Sequence, residues 1–76
     1  MDEFLKHFAA QFDDINEFLL NQETRFKELN EYTSLSALLI ISMIDEEYGV
    51  TITGNDMLSV STIEELYGLI NSKSNA

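Results

Sequence analysis

Residues 33–49, Thr-Ser-Leu-Ser-Ala-Leu-Leu-Ile-Ile-Ser-Met-Ile-Asp-Glu-Glu-Tyr-Gly, constrain the fold more than any other stretch of the chain. The sequence predicts a single helix here with both ends marked. Thr33 supplies an N-cap hydroxyl, and Gly49 suits the left-handed residue that stops a helix. Between them lie no Pro and no Gly, only residues a helix accepts. Advancing about 100° per residue places Ala37, Leu38, Ile40, Ile41, Ile44 and Tyr48 on one side, enough to seal a core. Leu35, Ser36, Leu39, Ser42, Met43 and Glu46 then face elsewhere. Asp45, Glu46 and Glu47 crowd the end where the helix dipole disfavours negative charge, so helix stability does not account for them. At the opposite end Ser34 sits where positive dipole and unpaired backbone N–H groups favour a phosphate.

The other segments are shorter. Phe4, Leu5, Phe8, Phe12 and Ile15 recur at helical spacing and predict a first helix over about residues 2–13, with Asp2 and Glu3 in its favourable first turn. Residues 14–33 are polar, hold Ile15, Phe18, Leu19, Phe26 and Leu29 as scattered apolar anchors, and read as a structured loop packed on the core. Val50-Thr51-Ile52-Thr53 reads as extended and Gly54-Asn55 as a turn. Residues 56–60 allow one or two helical turns. Ser61 and Glu64 have capping-box spacing for a last helix that ends near Asn71 and buries Ile63, Leu66, Tyr67 and Ile70. Residues 72–76 are expected to fray. The expected fold is all-α, a single domain over residues 1–76: a small bundle of three main helices plus one short helix.

At 76 residues with no Cys, the chain is near the lower limit for an unaided core and excludes disulfides and thiolate metal sites. Its hydrophobic content of 45% argues for a folded core rather than disorder. The longest apolar run, residues 37–41, is too short to span a membrane, and the basic region of a signal peptide is missing, so a cytoplasmic protein is expected. The formal charge is −10, from 14 acids against four Lys and Arg. No basic residue lies between Lys27 and Lys73, while Glu28, Glu31, Asp45, Glu46, Glu47, Asp56, Glu64 and Glu65 do. Such a surface repels nucleic acid and anionic lipid. It serves either solubility or steering toward basic partners.

No catalytic constellation is evident. His7 lies off the apolar stripe, has no second His or Cys to share a metal, and reads as a solvent-facing structural residue. Asp13-Asp14-Ile15-Asn16-Glu17 lacks the glycine and terminal glutamate of a calcium loop. The three glycines are far apart and form no phosphate loop. The chain reads as a non-enzyme without a metal. Ser34 is either a helix-start serine that satisfies backbone donors or a covalent attachment point.

Thr33-Ser34-Leu35 opening an apolar helix, the acidic end Ile44-Asp45-Glu46-Glu47-Tyr48-Gly49-Val50 and the downstream Thr62-Ile63-Glu64-Glu65-Leu66 together resemble the acyl carrier protein family over nearly the whole chain. The likeness is weakest over residues 14–25. In that family an Asp-Ser-Leu serine opens the second helix and carries a 4′-phosphopantetheine arm; here Thr33 stands in the aspartate's place. The resemblance implies an arm on Ser34, moved there from coenzyme A by a magnesium-dependent phosphopantetheinyl transferase, with acyl groups held on its thiol. It implies a partner surface of Glu31, Leu35, Leu39, Met43, Asp45, Glu46 and Glu47, facing acyl synthases and transferases with basic patches. It also implies an acyl pocket matching Ile52, Met57, Val60, Ile63 and Leu66, residues that ordinary core packing explains equally. The expected function is carriage of acyl intermediates for fatty-acid or related lipid or polyketide assembly, by a monomer. Two alternatives stay open: a peptidyl or aminoacyl carrier, such as a D-alanyl carrier, and an unmodified acidic helical interaction module.

Overall fold

Four helices follow one another in a computed structural model that describes residues 2–12, 15 and 17–74: α1 (Asp2–Ala9), α2 (Ser34–Tyr48), α3 (Gly54–Ser59) and α4 (Ile63–Ser74). Two 3₁₀ turns, Glu17–Leu19 and Phe26–Glu28, punctuate the connection from α1 to α2. No strand forms among the described residues, and the expected three-plus-one helical bundle is present.

The first helix is amphipathic because Phe4 and Phe8 recur four residues apart, with Asp2, Glu3 and Lys6 opposite. It stops at Ala9, earlier than expected. The Gln11 side-chain amide donates to the His7 carbonyl at 3.0 Å, and the amides of Gln11 and Phe12 bond three residues back, to Phe8 and Ala9, at 3.1 Å. The last turn therefore tightens and ends the helix. Phe12 is still buried, but beyond the helix rather than on it. The far end of the expected helix, Asp13, and the neighbouring Asp14 and Asn16 lie outside the described residues.

Phe4, Phe8, Phe12 and Phe26 form the aromatic centre of the bundle. Phe8 touches Phe12 at 5.5 Å and Phe26 at 5.4 Å between ring centroids, and Phe4 meets Tyr48 at 5.8 Å and Tyr67 at 5.2 Å. These separations lie within the range where aromatic pairs attract beyond their area burial. Ile40, Ile44, Ile52, Ile63, Leu66 and Ile70 complete the buried cluster. Tyr67, expected in the core, is half-buried against it.

The α1–α2 connection is structured, as expected, but its anchors differ. Phe26 and Leu20 are buried and Ile15 and Leu29 half-buried, whereas Phe18 and Leu19 are exposed. The 3₁₀ turn leaves Phe18 and Leu19 on the outside, and the residue that follows it, Leu20, reaches the core. The connection also caps α4, whose Ile63 and Glu64 amides donate to the Thr24 and Gln22 carbonyls at 3.1 and 2.9 Å. First-turn donors that lack an intrahelical partner are satisfied by this distant loop.

Three details of the C-terminal half correct the sequence reading. Gly54-Asn55 opens α3 rather than forming a separate turn, because Thr53 and Asp56 cap it reciprocally: Thr53 N–H donates to Asp56 Oδ2 at 2.9 Å and Asp56 N–H to Thr53 Oγ1 at 3.1 Å. The capping box of α4 is Thr62 with Glu65, one residue later than Ser61 with Glu64. Glu65 N–H donates to Thr62 Oγ1 at 3.1 Å, and Glu65 Oε1 accepts from the amides of Thr62 at 3.0 Å and Ser61 at 2.7 Å. Those two amides, Ser61 first, hold the Glu65 carboxyl below its ordinary value. The helix runs past Asn71 to Ser74 because Lys73 is tethered, to the Asp56 carboxylate at 2.7 Å and the Thr51 carbonyl at 3.2 Å. Asn75 and Ala76, expected to fray, lie outside the described residues.

Candidate functional site

Three hydroxyls meet at the start of α2, and two of them are engaged in the cap. Thr33, extended at φ −135° and ψ 178°, is the N-cap. Its Oγ1 accepts from the Ser36 amide at 3.3 Å, and its own N–H donates to Ser36 Oγ at 3.1 Å. Ser36 Oγ also donates to the Glu31 carbonyl at 3.1 Å. Ser36 is therefore buried and turned toward the incoming chain. Ser34, the first helical residue, takes part in none of these bonds and is exposed. A fixed helix start thus presents one approachable hydroxyl, with no acidic residue in the first turn. The dipole end and first-turn N–H groups there favour a phosphate. A phosphate-linked arm fits this position, since it needs an exposed oxygen on a rigid element with local positive potential. Thr33 performs the capping without the carboxylate of the Asp-Ser-Leu pattern.

At the other end Gly49 adopts φ 64° and ψ 28°, and its N–H donates to the Asp45 carbonyl at 3.0 Å. Only glycine takes that left-handed conformation without strain, so the stop expected from the sequence is found. Asp45, Glu46 and Glu47 are exposed beside it with no basic residue in the last turn. Half-buried His7, expected to face solvent, lies between two helices instead: its Nε2 is 3.8 Å from carboxylate oxygens of both Glu3 and Glu47, and its ring stands edge-on to Tyr48. Burial, with smaller contributions from the neighbouring Tyr67, Glu3 and Glu47, raises the Tyr48 phenol above its ordinary value.

The orientation of α2 departs from the helical wheel drawn above. Ser36, Ile40, Met43 and Ile44 face the core, while Leu35, Leu38, Leu39 and Ser42 face out. Met43 is thus corrected from surface to core, and Leu38 from core to surface. The cap dictates this rotation: Ser36 must turn inward to bond Thr33 and the Glu31 carbonyl, and Met43, seven residues on, follows it. Of the expected partner surface, Glu31, Leu35, Leu39, Asp45, Glu46 and Glu47 are exposed, and Leu38 joins them. The Thr33-x-x-Ser36 spacing carried the signal that the wheel missed, since a reciprocal cap fixes which side of the first turn faces the preceding chain.

Ile52, Met57, Val60, Ile63 and Leu66, the expected acyl pocket, are all buried in one apolar cluster. A cavity of about 720 Å³ lies elsewhere, between α1 and the first 3₁₀ turn, lined by Asp2, Glu3, Leu5, Lys6, His7, Phe18 and Leu20. It shares no residue with the five. Among the described residues no group of three or more His, Cys, Asp or Glu side chains is arranged to hold a metal ion.

A short helical bundle with an exposed serine at the start of its longest helix is compatible with a covalently attached group. The family model described as the phosphopantetheine attachment site matches residues 3–70, and the chain belongs to that family. It is a phosphopantetheine-carrying carrier protein of the acyl carrier protein type, and the group it bears is 4′-phosphopantetheine, joined covalently to a serine. No curated protein shows significant sequence similarity to the chain.

Proposed function

We propose that Ser34 is the attachment serine and that the protein carries acyl groups for fatty-acid or related lipid or polyketide assembly, as a single-domain cytoplasmic monomer without catalytic activity of its own. The observation that carries this reading is the division of labour at the start of α2: Thr33 and Ser36 hold the cap, and Ser34 is left exposed. The arm, when attached, supplies a terminal thiol that holds the cargo as a thioester. The protein's own residues do the rest. Ser34 Oγ would give up its proton and form the phosphoester to the arm, as the transferase breaks the pyrophosphate bond of coenzyme A and adenosine 3′,5′-bisphosphate departs. Thr33 keeps the backbone of the first turn in place. The apolar cluster of Ile52, Met57, Val60, Ile63 and Leu66 supports an aliphatic cargo, because a polar aminoacyl group gains nothing from such surroundings. Partners with basic patches, the transferase and the acyl synthases, dock beside the arm on Leu35, Leu38 and Leu39 within the acidic frame of Glu31, Asp45, Glu46 and Glu47.

Co-expression with a phosphopantetheinyl transferase, followed by intact mass measurement, tests the assignment. The native chain and Ser36→Ala should each gain the mass of one arm, and Ser34→Ala should gain none. An arm on Ser34→Ala overturns the assignment, and a native chain that no transferase modifies overturns the carrier reading.

A further inference from the structure

Two of the four basic residues, Lys27 and Lys73, reach across the fold to the same six-residue helix. Lys27 Nζ donates to the Met57 carbonyl at 2.9 Å and the Leu58 carbonyl at 3.4 Å, from 30 and 31 residues away. Lys73 Nζ pairs with Asp56 Oδ2 at 2.7 Å and donates to the Thr51 carbonyl at 3.2 Å. One lysine approaches from the α1–α2 connection and the other from the last turn of α4, so Asp56 and the neighbouring Met57 and Leu58 tie α3 to two different parts of the bundle.

Little else holds α3. Six residues are far too few for a helix to persist alone. Met57 is its one buried side chain, and Leu58 is exposed. The segment from Val50 to Val60 nevertheless covers the core, with Ile52, Met57 and Val60 buried in the same cluster as Ile63 and Leu66 beneath. Displacing α3 withdraws Met57 from that cluster and makes room there. Met is adaptable enough to yield to a flexible chain.

We propose that Lys27 and Lys73 form a two-point clamp on α3 that sets how far it can lift, and so how long an acyl chain the bundle receives under it. The clamp is stronger than two surface pairs, because Lys27 satisfies the Met57 and Leu58 carbonyls that the short helix leaves unpaired, and Lys73 adds the Thr51 carbonyl just ahead of the helix to its ion pair with Asp56. It is also selective in place. A local opening that detaches α3 alone breaks these bonds and leaves the aromatic centre around Phe4, Phe8 and Phe26 intact. The chain-length part rests on the acyl-carrier reading above; the clamp itself does not.

Amide hydrogen exchange on the full chain, read residue by residue by NMR, tests the clamp. Lys27→Met and Lys73→Met should each speed exchange at Met57 and Ser59 several-fold, and the double variant about ten-fold. Amides of Ile44 and Leu66, and all amides of Lys6→Met, should stay within about two-fold of the native rates. Uniform acceleration across α2, α3 and α4, or none in α3, overturns the clamp; if the double variant fails to fold, the single variants decide by the same ratio. Cargo length is tested with the arm loaded with hexanoyl or tetradecanoyl and cleaved by hydroxylamine. Relative to the native protein, the Lys73→Met variant should shield tetradecanoyl several-fold better than hexanoyl. An unchanged ratio of the two rates overturns chain-length control. A chain that cannot be loaded overturns the attachment reading and the length control with it, while exchange still decides the clamp.

Discussion

Ile40, Met43 and Ile44 on one side of α2 are at most 4% exposed, whereas Leu35, Leu38 and Leu39 on the other keep 64, 63 and 40% of their surface in contact with solvent. The residues are chemically interchangeable, and neither composition nor propensity separates them. What differs is the first turn: Ser36 is drawn inward by Thr33 and the Glu31 carbonyl, and every later residue inherits that rotation. An apolar residue on this helix is core or surface according to a serine near its start. A monomer gains nothing from three solvent-facing leucines in a row with Ser34. Under the proposed function this exposed apolar surface, framed by acids, is the face on which the transferase and synthases dock.

The inward side should respond most strongly to a polar replacement. Met43→Gln keeps volume and helix propensity nearly constant, so it isolates burial. Leaving an amide without partners in the core is expected to lower stability by about 1–3 kcal/mol. For a domain of this size each kcal/mol corresponds to about 4–8 °C in Tm, which thermal unfolding followed by circular dichroism resolves. A Met43→Gln protein that melts with the native one would place Met43 back on the surface.

This contrast also explains what could be read beforehand. The amphipathic α1 shows its face plainly, because charged residues at Asp2, Glu3 and Lys6 oppose Phe4 and Phe8. The caps of α2, Thr33 and Gly49, were equally legible, since each depends on chemistry local to one residue. The facing of α2 was not, because Leu, Ile and Met surround most of the helix and periodicity has nothing to contrast. Phe18 and Leu19 misled for a related reason: apolar character says that a residue could be buried, while the 3₁₀ turn that aims Leu20 inward instead is decided by the packing around it. Candidate Ser34 was legible because a helix-start hydroxyl needs only the helix to be placed correctly.

Charge divides in the same way, between acids built into the fold and acids left to solvent. The hydrogen bond from Lys73, and then that from the Thr53 amide, hold the Asp56 carboxyl at about 2, below the ordinary 3.8 of an aspartate. A depressed folded-state pKa contributes stability that is complete above the unfolded value and lost as pH falls through the folded one. Stability should therefore decline between about pH 4 and 2, and Asp56→Asn should flatten part of that decline in a series of melts across this range. An undiminished slope in Asp56→Asn would detach the Lys73 pair from stability. Glu46, exposed at the acidic end of α2, should behave oppositely. Glu46→Lys leaves Tm nearly unchanged but slows association with the transferase, and rising salt, which screens exposed charges over about 8–10 Å, slows the native pair as well. Association rates by stopped flow that ignore both changes would remove steering from the account.

The smallest stability effect is expected where the helical wheel and the structure disagree most openly. Leu38→Gln makes the same kind of replacement as Met43→Gln, five residues earlier and on the opposite side of one helix. Glutamine's stem retains most of the contact that a 63% exposed leucine makes, and its helix propensity is close to that of leucine. The change in stability should fall within about 0.5 kcal/mol, the usual range for surface positions. Binding should not be spared, because a leucine near Ser34 that keeps 63% of its surface exposed is available to pack on a partner. Leu38→Gln should therefore weaken capture by the transferase, measured as a rise in KM with kcat unchanged, since the substitution removes docking contact and leaves the hydroxyl in place. Equal melting losses for Leu38→Gln and Met43→Gln would mean that α2 is buried on both sides, and the outward leucines would then belong to the core rather than to a docking surface.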